Sequence, residues 1–274
     1  MKKPKIVAIV GPTALGKSDL AVFLAKKING EIISADSRQV YRGMDIGTGK
    51  ITKKEMTGVP HHMIDIANPK KRITVEQYRN EATKILKNIW AKGKTPIVCG
   101  GTGFYIEELL FPSPLPNVSP DKKLRNLLSK KTAEELFNIL KRKDPERARN
   151  IDPKNKIRLI RALEIIKALG KVPPRKNQNS PYDVFFIKLD APIDILKNNI
   201  HKRLIKRMDL GMIKEAQILH KKGLSYKEMG AFGLEYKWLA KLLKKEVDKQ
   251  AFIRGLERDI VSYARRQKTW FKRY

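Results

Sequence analysis

Gly11, Gly16, Lys17 and Ser18 stand at the spacing G-x-x-x-x-G-K-S. Glycines at those places let the chain turn successive backbone N–H groups toward one point, where they can hold phosphate oxygens. Lys17 adds a point charge, and the Ser18 hydroxyl suits Mg²⁺. The run Gly11, Pro12, Thr13, Ala14, Leu15, Gly16, Lys17 and Ser18 is therefore a candidate anion-binding loop, with Ser18 a candidate metal ligand. Such a loop does not fix the reaction. Two further stretches offer reacting groups. Asp36 opens "DSRQVYRGMDIGTGK", a run rich in hydroxyls, amides and glycines. Its carboxylate suits Mg²⁺, proton abstraction or the capping of a turn. "GGTGFY" places Thr102 in a second glycine-rich turn, either another donor cluster for an anion or a plain tight turn.

The elements that must position these groups are readable from periodicity. The apolar run Lys5–Val10 precedes the loop, and a helix is predicted over Ser18–Ile28, stopped by Asn29-Gly30. "EIISAD" predicts a second strand ending at Asp36, "HHMIDI" a third apolar run, and "TPIVCGG" a strand feeding the helix "GFYIEELL". Thr74 and Gln77 form a capping-box pattern that opens a helix running to Lys92. This alternation predicts an α/β fold, a P-loop-type parallel sheet flanked by helices, with the loop, Asp36 and Thr102 at its carboxyl edge. Four prolines in the ten residues of "FPSPLPNVSP" break the pattern. From Asp121 to Lys176 only helices are predicted, and "KVPPRKNQNSP" closes that segment. "DVFFIKLD" predicts a further strand, helices follow from Ile193, and "SYARRQKTWFKRY" predicts a basic terminal helix. The expected organisation is a catalytic core of residues 1–115 and 182–274 and an inserted all-helical domain of residues 116–181.

The chain has 274 residues, with 59 Lys and Arg against 28 Asp and Glu, a net charge of +31 and a pI near 10.2. A compact state with that excess repels itself unless an anion meets it, so nucleic acid is the expected partner. Between Asp121 and Ser180 there are 18 basic and 7 acidic residues. Cys99 is the sole cysteine, which excludes an internal disulfide and fits a reducing cytosol. Its apolar surroundings read it as a small buried hydrophobe. No stretch reaches the ~20 apolar residues of a membrane span, and Ile6–Val10 falls short of the ~7–15 apolar residues of a secretory leader. A cytoplasmic location without membrane contact is expected. His61-His62 has no ligand-spaced partner in His201, His220 or Cys99, which argues against zinc. On the loop alone, a small-molecule kinase or a nucleic-acid-stimulated ATPase stays open. The kinase has no use for the charge, and the ATPase lacks its further blocks. No N-K-x-D guanine-reading motif is present.

In chain order, "GPTALGKS", "DSRQVYRGMDIGTGK", "PHHMIDI", "GGTGFYIEELL", "IRLIRALEI" and "RRQKTWFKR" resemble the signature blocks of the tRNA dimethylallyltransferase family over nearly the whole chain. The resemblance implies transfer of a five-carbon group from dimethylallyl diphosphate to N6 of the adenosine 3′-adjacent to the anticodon, in tRNAs reading codons that begin with U. The loop then holds a diphosphate leaving group, not ATP. The resemblance further implies Asp36 as general base, Thr102 at the reaction centre, and Mg²⁺ at Ser18. A pocket for the flipped-out adenosine is implied along Asp36, Ser37, Arg38 and Gln39. An arginine of "RLIKRMDLG" is expected at the diphosphate, Arg207 first and Arg203 second. The inserted domain is expected to grip the tRNA anticodon stem-loop together with the core, through Ile157, Arg158, Leu159, Ile160 and Arg161, with Lys123 near its start. Arg158 and Arg161, three apart, share a helix face. The terminal basic helix is expected beside the site, with Trp270 and Phe271 in the core. A monomer is implied. The chain departs from the family pattern in Leu15 for serine, Gly49 for alanine, Ile51 for proline and Glu235 for a second glycine. The segment "RLIKRMDLGMIKEA" reads about one helical turn short, and Tyr274 falls earlier than the usual end.

Overall fold

A computed structural model describes residues 3–174 and 179–274. The chain divides into two compact units, Met1–Pro112 with Asn179–Tyr274, and Ser113–Gln178. Part of the second proline-rich loop expected at Lys171–Pro181 lies outside the described residues.

The first unit opens with β1 (Lys5–Val10), α1 (Lys17–Lys27), β2 (Gly30–Ser34), the short α2 (Lys53–Met56), β3 (His61–His62), α3 (Val75–Ala91), β4 (Thr95–Gly100) and α4 (Gly103–Leu110). The second unit holds α5 (Lys122–Ser129), α6 (Ala133–Lys143), α7 (Pro145–Arg149) and α8 (Lys156–Leu169). The first unit resumes with β5 (Asp183–Lys188), α9 (Ile193–Asp209), α10 (Met212–Lys221), α11 (Tyr226–Phe232), α12 (Leu234–Leu243) and α13 (Lys249–Phe271).

The five strands form one sheet in the order β3-β2-β4-β1-β5, every pair parallel. Successive strand side chains point to opposite faces. Ile6, Ala8 and Val10 of β1 accordingly join the large core that also takes Tyr78 and Leu86 of α3 and Leu256 and Ile260 of α13. Ile9, between them, joins Ala21, Val22 and Ala25 of α1 on the other face. The α3 boundary is set chemically: Thr74 caps the Gln77 N–H while the Gln77 side chain accepts the Thr74 N–H. The order matters for function because β2, β4 and β1 are neighbours. Their carboxyl ends lead into the Asp36 segment, the Thr102 turn and the glycine loop, so three separate motifs meet at one edge.

Two strands are shorter than their apolar runs suggest. Met63 and Asp65 have φ of 62° and 56°, outside the range of a strand, so only His61 and His62 pair with β2. β2 ends at Ser34, two residues before Asp36. The Ala35 N–H still donates to Cys99 O, but the Ala35 carbonyl is taken by the Thr102 N–H as the chain after β4 turns away.

The helical unit packs around Leu128, Leu136, Leu140, Leu159 and Leu163. One carboxylate anchors it: Glu164, 2% exposed, accepts the Asp121 N–H at 2.7 Å and two bonds from Arg125 at 2.8 Å, and pairs with Arg161. Burial alone would raise the Glu164 carboxyl, but the bonds from Arg125 and Arg161 outweigh it and bring it down to about 2. No helix among the described residues is long and apolar enough to cross a membrane.

Glu164→Ala leaves Arg125 and Arg161 without their shared anion and should cost about 3 kcal/mol of stability at neutral pH, read by urea denaturation. A depressed carboxyl stabilises above its unfolded value, so this difference from wild type should shrink as pH falls from 4.5 toward about 2. Equal urea midpoints for the two proteins at pH 7 would show that the cluster contributes nothing.

Candidate active site

A cavity of about 460 Å³ opens at the carboxyl ends of β1, β2 and β4. Thr13, Ala14, Leu15, Gly16, Lys17 and Ser18 line it, while Gly11 and Pro12 are buried at the foot of the loop. The sequence places the loop here because β1 delivers it and α1 begins at Lys17, with its N-terminal N–H groups unpaired within the helix. Lys17 Nζ donates to Pro12 O at 2.5 Å. Burial pulls the Lys17 ammonium down to about 8, Arg203 acting in the same direction and Asp36 against it.

Of the two arginines expected at the diphosphate, α9 presents Arg203 to the loop. Arg203 donates to Thr13 Oγ1 at 3.0 Å and to Gly49 O at 3.2 Å, and it lines the cavity. Arg207, one turn on, is not in the lining. It is 7% exposed, donates to Gly47 O at 3.3 Å and pairs with Glu235 at 3.1 Å. Arg203, expected second, is thus the one in the cavity lining, while Arg207, expected first, is held by the carboxylate at 235. Gly49 makes the crowding possible: a Cβ there would lie 2.0 Å from one Arg207 nitrogen and 2.3 Å from one of Arg203. Burial and the neighbouring Arg207 push the Arg203 guanidinium down to about 10.

Asp36 and Gln39 also line the cavity. Asp36 Oδ1 accepts the Arg38 N–H at 2.8 Å, leaving its second oxygen with no protein bond among the described residues. The turn-capping role open to Asp36 is therefore present, but it occupies one oxygen only. Thr102 Oγ1 accepts the Ser37 N–H at 3.0 Å, which ties the "GGT" turn to the Asp36 segment. Gln39 accepts from Ser34 Oγ at 3.2 Å and Arg38 lies over the Phe232 ring. Cys99 lines the cavity floor, its thiol pushed up to about 12 by burial, which leaves it an apolar filler at neutral pH.

Several residues of the cavity wall are not among those the sequence singles out, Asp19, Glu55, Lys202 and Lys206 included. Tyr263 and Gln267 of α13 both line the cavity. Gln267 falls on the buried stripe Ile260, Ala264, Gln267, Phe271, so an amide on an otherwise apolar helix face was the available signal. Phe271 is core and Trp270 packs on Gly103. His61 and His62 are engaged elsewhere, with Val59 O and Glu31.

In the helical unit the expected RNA-contacting run divides. Lys123, Ile157 and Arg158 are exposed. Leu159 is 0% exposed and belongs to the unit's core, Ile160 packs against that core, and Arg161 is tied to Glu164. Leu159 therefore holds the helix in place and offers RNA no surface.

A parallel sheet with a glycine loop entering a helix, a second glycine turn lining the same cavity and half-buried cations beside the loop marks an α/β protein with a candidate anion-binding loop. A family model described as IPP transferase matches residues 39–274. The tRNA dimethylallyltransferase of Halalkalibacterium halodurans is 40% identical over 280 residues, spanning 98% of this chain and 88% of its own. That of Lachnoclostridium phytofermentans is 40% identical over 277 residues, with the same two coverages. Among solved structures, the tRNA isopentenylpyrophosphate transferase of Bacillus halodurans matches with a TM-score of 0.75 at 39% identity, over 99% of this chain and 88% of that one. A eukaryotic dimethylallyltransferase solved acting on tRNA matches with a TM-score of 0.82 at 26% identity, over 98% and 70%. The chain belongs to the IPP transferase family.

A lysine held near 8 takes up a proton when an anion binds beside it at higher pH. Titration with inorganic diphosphate at pH 8.5, in buffers of differing ionisation enthalpy, should show more proton uptake by wild type than by Lys17→Met. The difference should vanish at pH 6.5, where Lys17 is already charged. Equal uptake at pH 8.5 would place the anion away from Lys17.

Proposed function

We propose that this chain is a tRNA dimethylallyltransferase. It breaks the C1–O bond of dimethylallyl diphosphate and joins that carbon to N6 of the adenosine 3′-adjacent to the anticodon, in tRNAs reading codons that begin with U. The observation that carries the reading is the meeting of an open Asp36 oxygen with Lys17 and Arg203 in one cavity, in a chain about 40% identical to tRNA dimethylallyltransferases over nearly its full length. The phosphates of the glycine loop are then a leaving group, and ATP has no part in the step.

As the C–O bond lengthens, negative charge grows on the diphosphate. Lys17, Arg203 and the loop N–H groups from Ala14 to Ser18 stand where that charge develops. The exocyclic amine loses a proton as the new C–N bond forms, and Asp36, one of the carboxylates lining the cavity, is the acceptor. Thr102, bonded to Ser37, holds the segment that carries Asp36. The oxygens of Ser18 and of the diphosphate are the hard donors Mg²⁺ takes, and Cys99, protonated at neutral pH, does not compete for it. When bound there, Mg²⁺ neutralises diphosphate charge. The adenosine reaches Asp36 only if it leaves its stack. The exposed Lys123 and Arg158, on a helical unit rich in basic residues, serve the stem-loop phosphates. The enzyme acts in the cytoplasm as a monomer.

The test is labelled dimethylallyl diphosphate with an anticodon stem-loop bearing three consecutive adenosines, ATP loss being followed in parallel. Label in the RNA with ATP intact is expected. ATP loss without label would make the protein a kinase or ATPase. Asp36→Ala should cut turnover by about 10²–10⁴-fold while RNA binding persists. An active Asp36→Ala enzyme would assign the proton to another group. Arg158→Ala should lower the slope of log affinity against log salt by about one, and an unchanged slope would remove it from the interface.

A further inference from the structure

Gln267 is 5% exposed and makes two hydrogen bonds that cross the catalytic edge of the sheet. Its Oε1 accepts the Thr13 N–H at 2.9 Å, and its Nε2 donates to Gly101 O at 2.9 Å. The partners fix the amide's orientation, since a backbone N–H only donates and a carbonyl only accepts. One side chain from α13 therefore spans the phosphate loop after β1 and the turn after β4. The approach is close: a Cβ on Gly101 would lie 2.2 Å from Nε2. The turn it holds leads straight to Thr102, whose N–H donates to Ala35 O and whose hydroxyl accepts the Ser37 N–H. On the other side, the Thr13 hydroxyl accepts from Arg203. The Thr13 N–H, used by Gln267, does not serve a phosphate oxygen.

We propose that Gln267 is a positioning residue of the transfer step. It sets the separation between the loop that holds the leaving diphosphate and the turn that carries Thr102 and, through Ser37, Asp36. This rests on the prenyl-transfer reading. Carbon and nitrogen must come within ~3–3.5 Å with the leaving oxygen opposite, and a displacement of ~1 Å costs up to ~10²-fold in rate. A bridge whose ends are both backbone atoms fixes that separation in a way surface loops cannot.

The variants separate the two bonds. Gln267→Glu keeps an acceptor for the Thr13 N–H and turns an oxygen against Gly101 O. Gln267→Leu removes both bonds at similar volume. Gln267→Asn keeps both groups on a stem one carbon shorter and serves if the others fail to fold. Each is assayed by single-turnover transfer from labelled dimethylallyl diphosphate to the anticodon stem-loop. Rates are divided by the fraction of sites that bind inorganic diphosphate calorimetrically, and donor KM is measured alongside. The expected result is a rate per competent site lowered by about 30-fold or more in Glu and Leu, with donor KM within about threefold. A rate per competent site equal to wild type, all lost activity being lost sites, would make Gln267 a folding residue only and overturn the proposal. A raised donor KM with an unchanged rate would overturn it too, assigning Gln267 to donor binding. Absence of transfer in the wild type would instead defeat the prenyl-transfer reading, and the positioning role with it.

Discussion

Arg207 is buried and Lys17 and Arg203 are half-buried, with Arg203 on Thr13 and Gly49 and Arg207 on Gly47, and cations so placed give up water that an anion or a carboxylate replaces. The protein answers this constraint unequally. Arg207 receives Glu235 and the Gly47 carbonyl, so its charge is balanced within the fold. Arg203 and Lys17 receive uncharged oxygens from Thr13, Gly49 and Pro12, and carboxylates act on them only from a distance. Burial first, and then the neighbouring arginine, lowers the affinity of both for a proton. A site of this kind is held open by its scaffold, and the surrounding bonds show how. Glu215 accepts the N–H groups of Asp45, Ile46 and Gly47 and the hydroxyl of Tyr236, which seats the backbone whose carbonyls at 47 and 49 hold the two guanidiniums. Lys50 adds a second tie, joining Tyr41 O, Asp45 and Asp65.

Gly49 and Glu235 act together. The glycine admits both guanidiniums against the backbone, and the glutamate neutralises the deeper one. A side chain at 49 would collide with both arginines, and a neutral residue at 235 would leave the buried Arg207 without its carboxylate. Arg203, and not Arg207, lines the cavity.

Much of the fold and part of the site could be read from residue order, because glycines and strand periodicity act locally. The phosphate loop, Asp36 and "GGT" were placed at one edge by strand alternation alone, and the parallel sheet puts them there. What was not legible depends on distance in the fold. Arg203 and Arg207 lie four apart on one helix, so spacing cannot rank them, and the carboxylate that holds Arg207 lies 28 residues away. Gln267 meets Thr13 across 254 residues. Leu159 sits inside a basic block but turns inward, because a helix face changes every residue while a motif is read as a run. The third strand fell short because Met63 and Asp65 take left-handed backbone angles that hydrophobicity does not reveal.

The charge of +31 takes on more meaning once the carboxylates are located. Glu31 is buried against His62, Lys92 and Lys94, Glu108 against Arg79, and Glu164 against Arg125 and Arg161, while Glu215 faces backbone N–H groups and Glu235 faces Arg207. These acids anchor elements from within and present little negative charge to water. Most of the other acids are exposed, so the one-sidedness of the surface comes from the number of lysines and arginines, 59 against 28. Self-repulsion of such a surface falls when it meets a polyanion, whose condensed counterions are released to the solvent.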